Sequence, residues 1–250
     1  MRCPALLALV LLGWTVSANG RDLAGSKQVL DDMPSTVTST VTPVWHVEVV
    51  AWYPHDVWAF TEGLLWHKGR LYESTGIRGG SSLRNVRVET GLVTQAIQMP
   101  PQDFGEGLAV KGDRLVQLTY QQHIAPIYDL SSFKRIGQFR YSGEGWGLCF
   151  DGRHFVMSDG SDRLTRRDAK TFATRSTLPV TLDGQPLKYL NELECVDDLV
   201  YANVFHTNNI VEIGRDGVVR KIIDLSGLLT LLGQLRSEGP GERRVERHCL

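Results

Sequence analysis

The chain has 250 residues, enough for one or two domains and a sizeable core, and its 42% apolar and 22% charged residues exclude wholesale disorder. Lys plus Arg number 27 against 28 for Asp plus Glu. A net charge of −1 excludes a dedicated nucleic-acid binder, which needs clustered positive charge to neutralise phosphates.

In chain order, Arg2 precedes an apolar stretch, Ala5–Ala18, that ends in Val16-Ser17-Ala18. This is the layout of a secretory signal peptide over 1–20, and it predicts a secreted or extracytoplasmic protein. The stretch is shorter than the roughly 18 residues of a membrane span, and no longer apolar run follows. Residues 21–43, with Pro34-Ser35-Thr36-Val37-Thr38-Ser39-Thr40, read as a linker. Val44–Val50 alternates as a strand does and is placed to complete a last sheet.

Four segments then align, beginning Phe60-Thr61-Glu62-Gly63-Leu64, Phe104-Gly105-Glu106-Gly107-Leu108, Glu144-Gly145-Trp146-Gly147-Leu148 and Tyr189-Leu190-Asn191-Glu192-Leu193. Their leucines are 44, 40 and 45 residues apart. Seven residues after each leucine an apolar residue opens a second strand: Leu71, Leu115, Phe155 and Val200. Third strands are expected near Leu83–Val88, Ile124–Tyr128, Leu164–Arg167 and Asn209–Ile213. Fourth strands are expected near Val93–Met99, Ile136–Tyr141, Ala173–Val180 and Val218–Leu225. Four short strands per unit of this length are the period of a β-propeller blade, so the fold class is all-β. The propeller domain is set at 44–230, with blades near 60–101, 104–143, 144–188 and 189–225. Leu228–Leu235 suits a short helix, and 231–250 reads as a charged tail with no blade pattern.

Cys149, Cys195 and Cys249 remain beyond the leader, which permits one disulfide and a free thiol, or no disulfide. No Cys-x-x-Cys, His-x-x-x-His or calcium-loop spacing occurs, so no metal site is expected.

The first strand of each propeller blade lines the central channel. Two residues before each aligned leucine stand Glu62, Glu106, Trp146 and Asn191. Two carboxylates, an indole and an amide at one repeated position suit a site better than a structural position, which would be small or apolar throughout. The second-strand ends add Glu73, Ser74, Thr119, Tyr120, Asp159, Asn203 and Phe205, of which Glu73 is suited to pair with an Arg of a neighbouring blade.

At these residues the chain resembles the plant and bacterial type of glutaminyl cyclase, the glutamine cyclotransferase family. The motifs run from Ala59-Phe60-Thr61-Glu62-Gly63-Leu64 and Tyr72-Glu73-Ser74-Thr75-Gly76 through Ser81-Ser82-Leu83-Arg84 and Phe104-Gly105-Glu106-Gly107-Leu108. They continue with Glu144-Gly145-Trp146-Gly147-Leu148, Ser158-Asp159-Gly160-Ser161, Leu190-Asn191-Glu192-Leu193-Glu194 and Ala202-Asn203-Val204. The resemblance implies a five-bladed propeller, of which four blades are recognisable here. It implies a monomer that takes peptides or proteins with N-terminal glutamine, converts that residue to pyroglutamate with release of ammonia, and uses no cofactor. It further implies Glu106 as the acid/base residue and Phe60, Glu62, Tyr120, Trp146, Asn191 and Phe205 as the substrate pocket.

There are departures. The family usually carries Gln at the position of Glu62 and Trp at those of Tyr120 and Phe205. Its last-blade Asn-Gly strand opening and Gly-Lys-x-Trp segment have no counterpart in this sequence. A propeller that binds a peptide or protein without catalysis, its activity lost with the last blade, is therefore the alternative expectation. A chain unable to fold stably is a further one.

Overall fold

The computed structural model describes residues 41–228. The expected leader, most of the linker, the short helix after Leu228 and the charged tail lie outside the described residues, as does Cys249. Every regular element within them is a β-strand, and no helix there is long and apolar enough to cross a membrane.

The first blade consists of β2 (Thr61–His67), β3 (Arg70–Thr75), β4 (Ser82–Arg87) and β5 (Leu92–Gln98), joined in that order as an antiparallel meander. The second repeats this with β6 (Gly105–Lys111), β7 (Arg114–Thr119), β8 (Ile124–Asp129) and β9 (Arg135–Arg140). In the third, β10 (Leu148–Phe150) is short, followed by β11 (His154–Met157), β12 (Arg163–Asp168) and β13 (Thr174–Pro179). A small hairpin, β14 (Thr181–Leu182) with β15 (Gln185–Pro186), was not anticipated and precedes the fourth blade. That blade holds β16 (Leu190–Val196), β17 (Leu199–Val204), β18 (Asn209–Ile213) and β19 (Val219–Asp224). The tight turn from β2 to β3 has positive φ at both Lys68 and Gly69, the conformation that matches the strands' own twist.

The strand expected over Val44–Val50 is shorter. Only Val44–His46 (β1) is extended, and it pairs parallel with the outer edge of β19, making the fourth sheet five-stranded. Beyond it, Trp52–His55 cross the first blade and line a small cavity with Leu71, Val86 and Val88. Strand periodicity explains the need: Tyr72 faces the second blade, so Leu71 faces the other way and needs its own cover.

Apolar side chains alternate inward along the strands and fill the space between consecutive blades. Tyr72, Leu83, Leu108, Leu115, Tyr128 and Phe133 join the first to the second. Leu118, Ile127, Tyr141, Leu148, Phe155 and Phe172 join the second to the third. Cys149, Leu164, Val180, Leu190, Leu193 and Val211 join the third to the fourth. No blade is thick enough to bury its own faces, so each is stabilised by its neighbour.

Glu73 does not meet a neighbouring blade's Arg. It is buried within its own blade, where Thr61 Oγ1 donates to Oε1 at 2.5 Å and His55 Nε2 lies 2.8 Å from the same oxygen. The nearest guanidinium is that of Arg84 on β4, 3.9 Å from Glu73 Oε2 and bonded to Asp56 at 2.8 Å. The hydrogen bond to Glu73 raises the proton affinity of His55 above its ordinary value. Glu73 thus anchors the segment that covers the first blade, and a strand-end carboxylate is explained without chemistry.

Of the cysteine alternatives, the structure has the disulfide. Cys149 on β10 and Cys195 on β16 are bonded, their Cα atoms 5.4 Å apart and their sequence separation 46 residues. The bridge staples the third and fourth blades near the axis. Closing a loop of that length removes unfolded-state entropy worth about 4 kcal/mol in the chain-entropy treatment. The double variant Cys149→Ser/Cys195→Ser should therefore unfold at markedly lower denaturant concentration than the oxidised wild type, with the difference abolished by reductant.

Candidate active site

The first strands of the four blades surround the axis: β2 lies against β6, β6 against β10, β10 against β16, and β16 against β2. Their approach is set by the residue just before each aligned leucine. Gly63 abuts Glu106 O and Gly107 Cα, and a Cβ there would lie 3.0 Å from both. At Gly107 a Cβ would meet Leu148 N at 2.5 Å and Trp146 O at 2.6 Å, and at Gly147 it would collide with Asn191 O and Glu192 Cα. The contact that the missing side chain permits is a hydrogen bond from Gly107 N to Trp146 O of 2.7 Å. Ser158 repeats the link one blade on: Gly147 N donates to its Oγ at 2.7 Å, and that Oγ donates to Asn191 O at 2.6 Å. Glycine is present because backbone must meet backbone.

Residues one step further from the leucine therefore converge. Glu106 is buried, while Glu62, Trp146 and Asn191 are part-buried. Burial pushes Glu106 up to about 10, helped by the negative charges of Glu62 and Glu144. Burial alone carries Glu62 up to about 7. Two carboxyls that face one another in a poorly solvated place cannot both ionise easily, so they titrate apart. Near neutral pH the deeper one keeps its proton and the shallower one is near its midpoint.

A second layer stands two residues further out: Phe60, Phe104, Glu144 and Tyr189. Its construction repeats, since Gly76 N donates to Phe60 O, Tyr120 N to Phe104 O and Phe205 N to Tyr189 O at 2.7–3.0 Å. Ring contacts form two walls. Phe104 lies 6.2 Å from Phe60 and 6.0 Å from Tyr120, on the first and second blades. Trp146 lies 5.7 Å from Phe205 in an edge-to-face contact and rests over Gly160, on the third and fourth. Glu144 ties the walls together, accepting from Trp146 Nε1 at 3.1 Å and from Gln121 Nε2 at 3.0 Å. Burial pushes this carboxyl up, but hydrogen bonds from Gln121, Trp146 and Tyr120 outweigh it and hold Glu144 below its ordinary value.

The structure thus brings Phe60, Glu62, Tyr120, Glu106, Trp146, Asn191 and Phe205 to one mouth and axis. Other second-strand-end residues serve the framework: Ser74 Oγ accepts from Gln117 at 2.7 Å, and Thr119 Oγ1 donates to Ile124 O at 2.7 Å.

Three further residues belong here and were not singled out from the sequence: Phe104, Glu144 and Glu192. The first two occupy an equivalent repeat position, which was legible. Glu192 stands where the other repeats have glycine. Its side chain reaches across the axis, so that a Cβ on Gly107 would lie 2.6 Å from Oε2. Both carboxyl oxygens are buried, facing the Leu64 and Leu193 N–H groups without good hydrogen-bond geometry. Burial, then the charges of Glu194 and Glu106, push Glu192 well above the usual carboxylate range. Among the described residues no three His, Cys, Asp or Glu side chains are grouped to hold a metal ion.

Residues 23–238 match the sequence model of the glutamine cyclotransferase family. A glutaminyl-peptide cyclotransferase of Arabidopsis thaliana is 40% identical over 185 residues, covering 73% of this chain. The chain covers 58% of that relative's length. The crystal structure of Myxococcus xanthus glutaminyl cyclase superposes with a TM-score of 0.72 at 36% identity, over 77% of this chain and 82% of that one.

Replacing Gly147 by Ala tests the close approach. The added methyl must displace backbone of β16, so the variant should lose about 1–3 kcal/mol, the usual cost of overpacking. Gly80→Ala, whose Cβ would make only ordinary contacts from 3.7 Å outward, should stay within about 0.5 kcal/mol. Denaturant titration of both variants reads the difference.

Proposed function

Because this chain belongs to the glutamine cyclotransferase family, we propose that its axial site converts N-terminal glutamine of peptides to pyroglutamate and ammonia. The observation that carries this reading is the carboxyl pair, part-buried Glu62 with buried Glu106, set between two aromatic walls.

The substrate's α-ammonium, with an ordinary pKa near about 8, is a poor nucleophile until it loses a proton. A positive charge entering between two carboxyls favours their ionised forms. Glu62, the more readily ionised of the two, takes that proton. The free amine attacks the side-chain amide carbon, forming the C–N bond of the five-membered lactam. As the tetrahedral centre collapses, Glu106 gives its proton to the departing –NH2 and recovers one from the attacking nitrogen, so that ammonia leaves. One of the three original ammonium protons stays on the lactam nitrogen, one is on Glu62 and one on Glu106.

Positioning contributes at least as much, because the reaction is intramolecular and the flexible glutaminyl chain must be held folded back. Trp146, braced by Phe205 and Gly160, is the surface on which that chain packs. The amide of Asn191, whose backbone Ser158 fixes, is the donor that stabilises the developing oxyanion. The Cys149–Cys195 disulfide, together with the apolar N-terminal stretch, supports a secreted protein acting on secreted peptides.

The test is ammonia release from a short peptide with N-terminal glutamine. Wild type should turn it over, and Glu106→Gln should lose about 100- to 10,000-fold, the span of a general acid/base. Peptide binding with no turnover by the folded wild type would instead assign the site to recognition alone. Glu62→Gln separates the two carboxyls. With that base gone the substrate's ammonium must lose its proton unaided, while Glu106 still has to hold its own. The rising limb of kcat/KM against pH should therefore move from the wild-type value near 7 toward the ammonium's own pKa of about 8. An unmoved limb would remove Glu62 from the proton path.

A further inference from the structure

Tyr189 is the fourth blade's counterpart of Phe60 and Phe104, yet its ring does not join the inner walls. It is 54% exposed, close to the 50% of Phe60, and its ring contact is with His206 instead. His206 lies between it and the pocket, its ring centroid 6.3 Å from that of Tyr189 and 3.9 Å from that of Phe205. Phe205, itself 43% exposed, is 5.7 Å from Trp146. Four rings therefore run in unbroken contact from the part-buried indole at the axis to open surface.

Their backbone is held in an unusual form. Tyr189 and His206 have φ of 67° and 66°, a left-handed conformation that residues with a Cβ adopt at a cost. Packing does not demand it, since both side chains are solvent-facing. Hydrogen bonds hold it in place: Tyr189 N donates to Gly160 O at 2.8 Å and Phe205 N to Tyr189 O at 2.9 Å, while Thr207 N donates to Val204 O at 3.0 Å across the turn that contains His206. The ledge is thus pinned to the same strand ends that carry Trp146 and Asn191.

We infer that the outer part of this ledge, Tyr189 with His206, is a subsite for the side chain of the residue that follows the N-terminal glutamine, and that it favours aromatic side chains. The inference rests on the cyclotransferase reading of the inner pocket. The glutaminyl side chain must lie at Trp146, beside the carboxyls, so the rest of the peptide leaves through the mouth. An extended chain advances about 3.3–3.6 Å per residue. One residue beyond the glutamine therefore brings its backbone to the second or third ring of the ledge, and its side chain, directed outward, lies on the third and fourth. Flat rings at edge-to-face and tilted spacing receive another ring well and discriminate against a residue with no side chain. The four ledge side chains include no carboxylate, ammonium or guanidinium, so they offer a charged second residue no such ion pair.

The test compares Gln-Phe-Ala with Gln-Gly-Ala on the full chain, with Tyr189→Ala and His206→Ala as variants. Wild type should favour the Phe peptide in kcat/KM by about three- to tenfold, the range of an aromatic pair. In either variant that ratio should fall toward one. A ratio that is unchanged, or equal losses for both peptides, would overturn the subsite, because a merely structural role lowers both together. If wild type turns over neither peptide, the cyclotransferase reading fails while the subsite is still decided. Calorimetric binding of the same two peptides should then show the same preference and its loss in the variants, and equal binding by wild type would overturn it.

Discussion

Everything at the centre of this molecule depends on one contact: the N–H of Gly107 reaching the carbonyl of Trp146 at 2.7 Å across two separate sheets. Sheets normally pack about 10 Å apart through their side chains. Here the first strands meet backbone to backbone, and only a residue without a Cβ allows it. Three consequences follow from that approach. Residues from positions some forty apart in sequence are brought to one axis. Water is squeezed from around Glu106, which is the largest cause of its raised proton affinity. Glu62 and Glu144 are carried close enough for their charges to add to it. The chemistry proposed for the site is a consequence of how tightly the blades meet.

Glu192 shows the same constraint from the opposite side. In three repeats the notch position is glycine because the next strand's backbone fills the space. The fourth repeat places a carboxyl there, and that carboxyl occupies the hollow that Gly107 leaves on the second blade. A buried carboxyl with poorly satisfied oxygens is expensive when charged, which raises its proton affinity well above the ordinary range. The axis therefore carries three carboxyls whose proton affinities all stand above the ordinary range.

The architecture was legible because a propeller writes it into spacing. The constant seven residues from Leu64, Leu108, Leu148 and Leu193 to the next strand reflect one strand and one tight turn, a local quantity. The convergence of Glu62, Glu106, Trp146 and Asn191 followed from the same alignment. Features that depend on contacts between distant segments were not legible. Nothing in the spacing of Trp52–His55 says that they cover Leu71, or that His55 takes the bond with Glu73 expected of an arginine. That a strand near Val44 completes a last sheet was legible, but its limit to Val44–His46 and its parallel pairing with β19 depend on where the fourth sheet's edge lies. Three cysteines allowed several pairings, and only the meeting of β10 with β16 selects Cys149 with Cys195. Glu192 was readable as a break in the glycine pattern, though its reach across the axis was not.

The most direct measurement of the central claim is an infrared pH titration of the protonated carboxyl C=O stretch, in wild type and in Glu106→Gln. A carboxylic acid assignable to Glu106 should persist well above neutral pH, toward 10, and its band should be missing from the variant. If the variant removes no protonated carboxyl above about pH 5, near the ordinary glutamate range, then Glu106 is solvated and ionised. In that case the close approach of the blades does not create the acid on which the proposed chemistry depends.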